Sequence, residues 1–333
     1  MIGEDGTPPT VRELGEFALI ERINAGRRQG PQVLLGPGDD AAVVAAPDGR
    51  FAVSTDMLVE GRHFRLDWST PHDVGRKAIA QNAADVFAMG ARPTAFVVAL
   101  GCPADTPVEV IDGLAAGMWA EAERVGASVA GGDLVRSREV VVSITAFGDL
   151  GGLPPITRAG ARPGHVVAVA GRLGWSAAGL AVLTTGAAPD GPRAEAVALH
   201  RVPHPPYEAA PVGGGPRPHA LTDVSDGLLA DLGHIADASG VAIDLSASAL
   251  RDDALTALAA TMNVDARQWV LGGGEDHAFV GAWAPEAPLP PGWRAIGTVR
   301  AGSGVTVDGM SWDGAVGWES FRGAEAAPGN EPR

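Results

Sequence analysis

The chain has 333 residues, 46% hydrophobic and 20% charged, which places it among folded globular proteins with room for roughly two domains. Its formal net charge of −15 argues against nucleic acid or an anionic membrane as partner, and requires that any anionic substrate be neutralised locally. A single cysteine, Cys102, excludes an internal disulfide or a cysteine-based zinc site; no apolar run nears the roughly 20 residues of a bilayer span, and no signal-peptide pattern opens the chain, so a cytoplasmic enzyme is expected.

Thr10-Val-Arg-Glu13 is a capping-box pattern and predicts an amphipathic helix with Leu14, Phe17, Ile20 and Ile23 inward, ending near Gly26. Strand-like runs follow at 33–35, 41–45 and 51–59. Thr70-Pro71-His72-Asp73 reads as an N-cap, a proline in the first turn and an acid to match the helix dipole; that helix should reach Met89 and stop at Gly90. Lys77, the only lysine, lies in it, so a Walker A loop is excluded and Schiff-base chemistry has one candidate. Thr106-Pro107-Val108-Glu109 repeats the signature and opens a helix to about Gly126, with strands at 94–100, 127–130 and 140–147. The first half, 10–150, is therefore expected to be a mixed sheet with helices on one face.

Gly151-Gly152-Leu-Pro154-Pro155 is the boundary candidate, with a second, α/β domain over 156–322. It should contain a strand at Val166–Ala170, a helix over 176–184, a polar turn at 187–192 and a long flexible loop over 203–218. A strand ending at Asp223, a helix over 227–239 and strands at 241–245, 278–283, 294–299 and 305–307 complete it. Residues 323–333 read as a disordered tail.

Chemistry is concentrated in aspartates placed beside glycine or small polar residues: Gly38-Asp39-Asp40, Ser54-Thr55-Asp56, Asn82-Ala-Ala-Asp85, Gly131-Gly132-Asp133 and Asp223-Val-Ser225-Asp226-Gly227. Taken singly, the first could be a surface turn, the third a solvated helix face, and Asp226 an N-cap. Together, several like charges at strand ends need cations between them, and hard divalent ions such as Mg²⁺ take oxygen ligands alongside substrate phosphates. Two glycines before Asp133 suggest a turn that lets backbone approach a phosphate, with the carboxylate at its tip. No His-Glu-x-x-His and no Gly-x-Ser-x-Gly elbow is present, which leaves a metal-dependent phosphate-transfer enzyme as the reading.

In order, these motifs resemble the thiamine-monophosphate kinase family, within the superfamily of aminoimidazole ribonucleotide synthetase and selenophosphate synthetase. The matching strings include Ser54-Thr-Asp56-Met-Leu-Val-Glu60-Gly-Arg-His63-Phe, Lys77-Ala-Ile-Ala-Gln-Asn82-Ala-Ala-Asp85, Gly131-Gly-Asp133, Arg158-Ala-Gly-Ala-Arg-Pro-Gly164, Asp223-Val-Ser225-Asp226-Gly and Gly273-Gly-Glu275-Asp276. The resemblance implies an α+β two-domain synthetase-like fold whose N-terminal domain pairs with its copy in a homodimer. It implies ATP-dependent phosphorylation of thiamine monophosphate to the diphosphate, by direct in-line transfer. By the same resemblance Asp39, Ser54, Thr55, Asp56, Asp85, Asp133, Asp223 and Asp226 would hold several Mg²⁺ ions, with K⁺ a further candidate cation. Gly132, Arg158 and Ser225 would contact ATP, and His63, Glu275 and Trp318 the thiamine phosphate. The pattern departs at Ala84, Leu134 and His277, where the family usually carries Ser, Thr and Tyr. Alternatives are another ATP-dependent kinase or synthetase of the superfamily, or a metal-dependent phosphatase; selenophosphate synthesis would need a reactive cysteine near the N-terminus, whereas Cys102 lies mid-domain.

Overall fold

The computed structural model describes residues 9–37, 41–186 and 188–318. Thr10 and Glu13 close a reciprocal capping box on α1 (Val11–Leu14), but Gly15, at φ 81° and ψ 159°, ends that turn, and α2 (Glu16–Asn24) starts afresh. The single helix expected over 10–26 is thus two. Leu14 and Ile23 pack on the core and Leu19 is fully buried, while the side chain of Phe17 lies outside the described set. Next come β1 (Val33–Leu35), β2 (Val43–Val44), β3 (Ala52–Val59), α3 (Pro71–Ala88), β4 (Arg92–Cys102), α4 (Val108–Arg124), β5 (Ser128–Arg136) and β6 (Val141–Asp149). Thr70 and Asp73 cap α3 reciprocally, whereas Pro107 occupies the N-cap of α4 and no side chain caps it.

Strands β3–β6–β4–β5 form one mixed sheet, with only the β4–β5 pair parallel. In β6 burial alternates along the strand: Val142, Ile144 and Ala146 are buried, in the core cluster that holds the apolar side chains of α3 and α4. Opposite, Val53, Met57 and Val135 are exposed at 57%, 52% and 53%. The two helices approach closely because Gly75 and Gly117 lack side chains: a Cβ on Gly75 would lie 2.1 Å from the Leu114 carbonyl oxygen, and one on Gly117 would lie 2.0 Å from that of His72.

The second half runs β7 (Val166–Ala170), α5 (Trp175–Thr185), α6 (Gly191–Arg201), β8 (Ala220–Asp223), α7 (Leu228–Ser239), β9 (Ala242–Leu245), α8 (Asp253–Thr261), α9 (Ala266–Gly272), β10 (Phe279–Trp283), β11 (Trp293–Arg300) and β12 (Gly304–Val307). Its six strands lie in the order β12–β9–β11–β7–β10–β8. Period-2 alternation sends Val167, Val169, Val280 and Ala282 into a core shared with α5, α7, α8 and α9. Ala168, Ala170, Phe279 and Trp283 enter the core of the first half instead. The two halves therefore share one apolar interface.

Three helices went unread in the sequence. Helix α6 starts at Gly191, at the end of the polar turn expected at 187–192, and runs to Arg201, and α8 and α9 begin at Asp252 and Asp265, whose carboxylates accept backbone N–H bonds from Leu255 and Arg267. The stretch 203–218 is no free loop. Tyr207 is buried and its hydroxyl donates to the fully buried Glu121, which also pairs with Arg76 and Arg124. The tail 323–333 lies outside the described residues, among which no helix is long and apolar enough to cross a membrane.

Candidate functional site

Strand β3 supplies the first carboxylate. Its alternation turns Ser54 and Asp56 toward α3 and Thr55 to the other face, where the Thr55 hydroxyl donates to the Ile144 carbonyl at 2.9 Å. On α3, Asn82 and Asp85 share one side. Asn82 Oδ1 accepts the Asp56 backbone N–H at 3.1 Å, and Ser54 Oγ donates to Asp85 Oδ2 at 2.7 Å. The second half brings Asp223, at the end of β8, and Asp226 in the turn before α7.

These carboxylates act on one another across the cleft. Burial, followed by repulsion from Asp223 and Asp56, pushes the Asp85 carboxyl up to about 7 against the pull of Ser54. Asp56 and Asp226 are raised for the same reasons, burial first, with Asp223 contributing to both. The counter-charge is His277, whose Nδ1 lies 3.0 Å from Asp223 Oδ2; burial opposes its protonation, but Asp223 overrides burial and raises its pKa. Such a set suits hard cations. Among the described residues no group of three acidic, His or Cys side chains forms a ready cage for an ion.

The turn carrying Glu275 is held against its own strain. Glu275 and His277 both adopt left-handed backbone, at φ 65° and 51°, a conformation costing of order 1–3 kcal/mol each in non-glycine residues. Their N–H groups donate to the Ser225 and Val224 carbonyls, and Asp276 between them accepts from Gly174 N–H at 2.5 Å and Ser176 N–H at 2.9 Å, at the N-terminus of α5. Glu275 Oε1 lies 2.8 Å from Lys77 Nζ. His63 closes this end of the cleft. Its Nδ1 accepts the Val59 N–H at 3.0 Å, so the neutral ring carries its proton on Nε2, and burial lowers its pKa.

The remaining expected residues sit as follows. Arg158 Nε reaches Thr222 Oγ1 at 3.4 Å and its charge opposes the rise in the Asp226 pKa, which puts the guanidinium near the second-half carboxylates. Trp318 is 62% exposed and its backbone N–H donates to the Asp226 carbonyl at 2.9 Å. Asp133 departs from its expected place at a turn tip: β5 continues through Gly131-Gly132-Asp133 to Arg136. Gly132 is used within the sheet, where a Cβ would lie 2.1 Å from the Val98 carbonyl oxygen. Register sets Asp133 beside Ala99, Ser143 and Met57, on the exposed row, while Asp56 shares the row of Ile144, Val98 and Gly132. The chain thus brings Asp56, Asp85, Asp223 and Asp226 together and leaves Thr55 and Asp133 on the other face. Asp39, with Asp40, lies outside the described residues.

Asp231 is a residue that motif reading passed over. It is buried, and its Oδ2 accepts the N–H groups of Asp226 and Gly227 at 3.1 Å each, so it ties the turn leading into α7 back onto the helix, while neither it nor Asp226 caps the helix itself. An acid in the first turn of that helix was the available signal. Asp231→Ala strands both donors, and we expect a loss of about 2–4 kcal/mol on chemical denaturation. Asp231→Asn, which keeps an acceptor oxygen, should lose less than half of that; equal losses would show that these hydrogen bonds do not hold the turn.

Residues 38–150 match the family model of the AIR synthase related protein, N-terminal domain. The chain is 58% identical over 316 residues to the thiamine-monophosphate kinase of Mycobacterium tuberculosis, covering 94% of this chain and 93% of that protein. Among solved structures it resembles the thiamine-monophosphate kinase of Stenotrophomonas maltophilia, with TM-score 0.77 and 34% identity over 90% of this chain and 98% of that one. It also resembles AaThiL complexed with AMPPCP and TMP, with TM-score 0.77 and 30% identity over 94% of this chain and 99% of that one. The chain belongs to the thiamine-monophosphate kinase family.

Proposed function

We propose that this chain transfers the γ-phosphoryl group of ATP to thiamine monophosphate, giving ADP and thiamine diphosphate. The observation that carries the proposal is the convergence of Asp56 and Asp85 from one half with Asp223 and Asp226 from the other, around a cleft where His277 pairs with Asp223 and Arg158 stands near Asp226. Such a site suits two polyanions and the cations between them. Bound Mg²⁺ would neutralise the phosphates and align them for in-line displacement.

The protein's own part is orientation. An oxygen of the acceptor phosphate bonds to the γ-phosphorus as the bond to the ADP oxygen breaks, with no phosphoenzyme between. That oxygen is largely ionised near neutral pH, since a phosphomonoester's second pKa is about 6, so no strong base is required. Ser54, Asp56, Asp85, Asp223 and Asp226, joined by Asp39, would hold the cations, and Gly132, Arg158 and Ser225 take the nucleotide. His63, through Nε2–H, binds the acceptor with Glu275 and Trp318. We assign the open face of the four-stranded sheet, with Val53, Met57 and Val135, to a second copy of the chain; Thr55 and Asp133 lie on that face.

The test is ADP formation from ATP and Mg²⁺ with thiamine monophosphate, thiamine or no acceptor, with and without K⁺. Turnover with the monophosphate alone, abolished by EDTA, is expected. Phosphate release from thiamine phosphates in the absence of ATP would replace the kinase by a phosphatase.

A further inference from the structure

Lys77 is the only lysine in the chain, and its side chain is 2% exposed. An ammonium in that setting costs several kcal/mol to desolvate unless every donor is met. Here all three are met, each by a different segment: Glu275 Oε1 at 2.8 Å, the His63 carbonyl at 3.2 Å and the His200 carbonyl at 3.4 Å. Glu275 and His200 belong to the second half, and His63 and Lys77 to the first. Every other permanently basic residue is arginine. A guanidinium presents a planar fork, whereas three acceptors gathered around one point suit a compact ammonium.

The partners are those the acceptor would meet. Glu275 keeps 33% of its side chain exposed while paired, and its second oxygen lies 3.5 Å from His200 Nδ1, which is 3.1 Å from Ser176 Oγ. Burial, and then Lys77, lowers the His200 pKa to about 4, so its ring is neutral at pH 7. Burial opposes ionisation of Glu275, yet Lys77 and His200 hold its carboxyl below the usual range. A bare carboxylate here would repel an incoming phosphate; one neutralised by Lys77 does not.

We propose that Lys77 is a positioning residue for the phosphate acceptor: it fixes Glu275 from one half against the His63 turn from the other and cancels the glutamate charge, so that a phosphomonoester bearing a cationic heterocycle binds between them. This rests on the function proposed above.

The experiment compares Lys77→Met, Lys77→Gln, Glu275→Gln and the Lys77→Met/Glu275→Gln pair by steady-state kinetics, varying thiamine monophosphate and ATP separately. Lys77→Met should raise the KM for thiamine monophosphate by about 10- to 100-fold, with the KM for ATP within twofold of wild type. Lys77→Gln, which keeps hydrogen bonds to the carbonyls without the charge, should show the same split and serves if the Met variant does not fold. Adding Lys77→Met to Glu275→Gln should change the acceptor KM by less than about twofold, since one acts through the other. Equal effects on both substrates, or multiplicative effects in the pair, would overturn the assignment. A wild-type enzyme that does not phosphorylate thiamine monophosphate would instead overturn the functional reading, a separable result.

Discussion

Asp85→Asn should give a protein that is more stable than wild type without metal and nearly inactive with it. In the metal-free chain Asp85 is half-buried against Asp56 and Asp223, and burial and their repulsion push its carboxyl up to about 7, well above the usual carboxylate range. The sign follows from linkage: a group whose pKa is raised on folding contributes stability that is full below the unfolded pKa and is lost as pH rises through the folded one. At pH 8 the wild-type apoprotein therefore carries an ionised, repelled carboxylate. Asparagine cannot ionise, and its amide oxygen can still accept the Ser54 hydroxyl. We expect the variant to exceed apo wild type by about 1–2 kcal/mol at pH 8 and by much less at pH 5. Adding Mg²⁺ with nucleotide should reverse the order, because a ligand that binds only the folded wild type stabilises it by mass action. Loss of one electrostatic partner of the reacting phosphates should lower kcat on the order of 10²–10³ fold. Melting curves at the two pH values, with and without Mg²⁺-nucleotide, check this; a variant less stable than apo wild type at pH 8 would show that the carboxylates are not in mutual repulsion.

How far this site could be read from the sequence depended on the range of the interaction. Ser54 and Asp56 on one face of a strand, and Asn82 and Asp85 on one side of a helix, follow from periods of 2 and 3.6, which are local. Capping boxes at Thr10 and Thr70 are equally local. Asp133 was misplaced because Gly-Gly reads as a turn, whereas Gly132 is needed where β5 crowds the Val98 carbonyl, a contact fixed only by register with β4. The Lys77–Glu275 and His277–Asp223 pairs join residues 198 and 54 positions apart (275 − 77 and 277 − 223), beyond any periodicity. Helix α6 went unread because its opening Gly191-Pro192 resembles loop sequence, and Asp190, at its N-cap, makes no side-chain cap bond.

One substitution, glycine to alanine inside a helix, should have opposite signs at two positions. Alanine is favoured over glycine in a helix interior by about 1 kcal/mol. At Gly233 in α7 a new Cβ would meet nothing within 4 Å, so Gly233→Ala should raise stability by about that amount. At Gly75 in α3 the same Cβ would lie 2.1 Å from the Leu114 carbonyl oxygen and 2.9 Å from Met118 N, both backbone atoms with no rotamer to yield. Overpacking costs about 1–3 kcal/mol even where side chains can move, so here the clash exceeds the propensity gain, and a net loss of about 2–3 kcal/mol is expected. Relief requires α3 to move away from α4, and α3 carries Lys77, Asn82 and Asp85 together. Displacing reacting groups by even 1 Å can cost on the order of 10²-fold, so kcat/KM should fall steeply in Gly75→Ala and stay near wild type in Gly233→Ala. Denaturation and turnover measured on both variants test this directly; a Gly75→Ala protein as stable and active as wild type would mean that α3 can shift on α4 without moving the site.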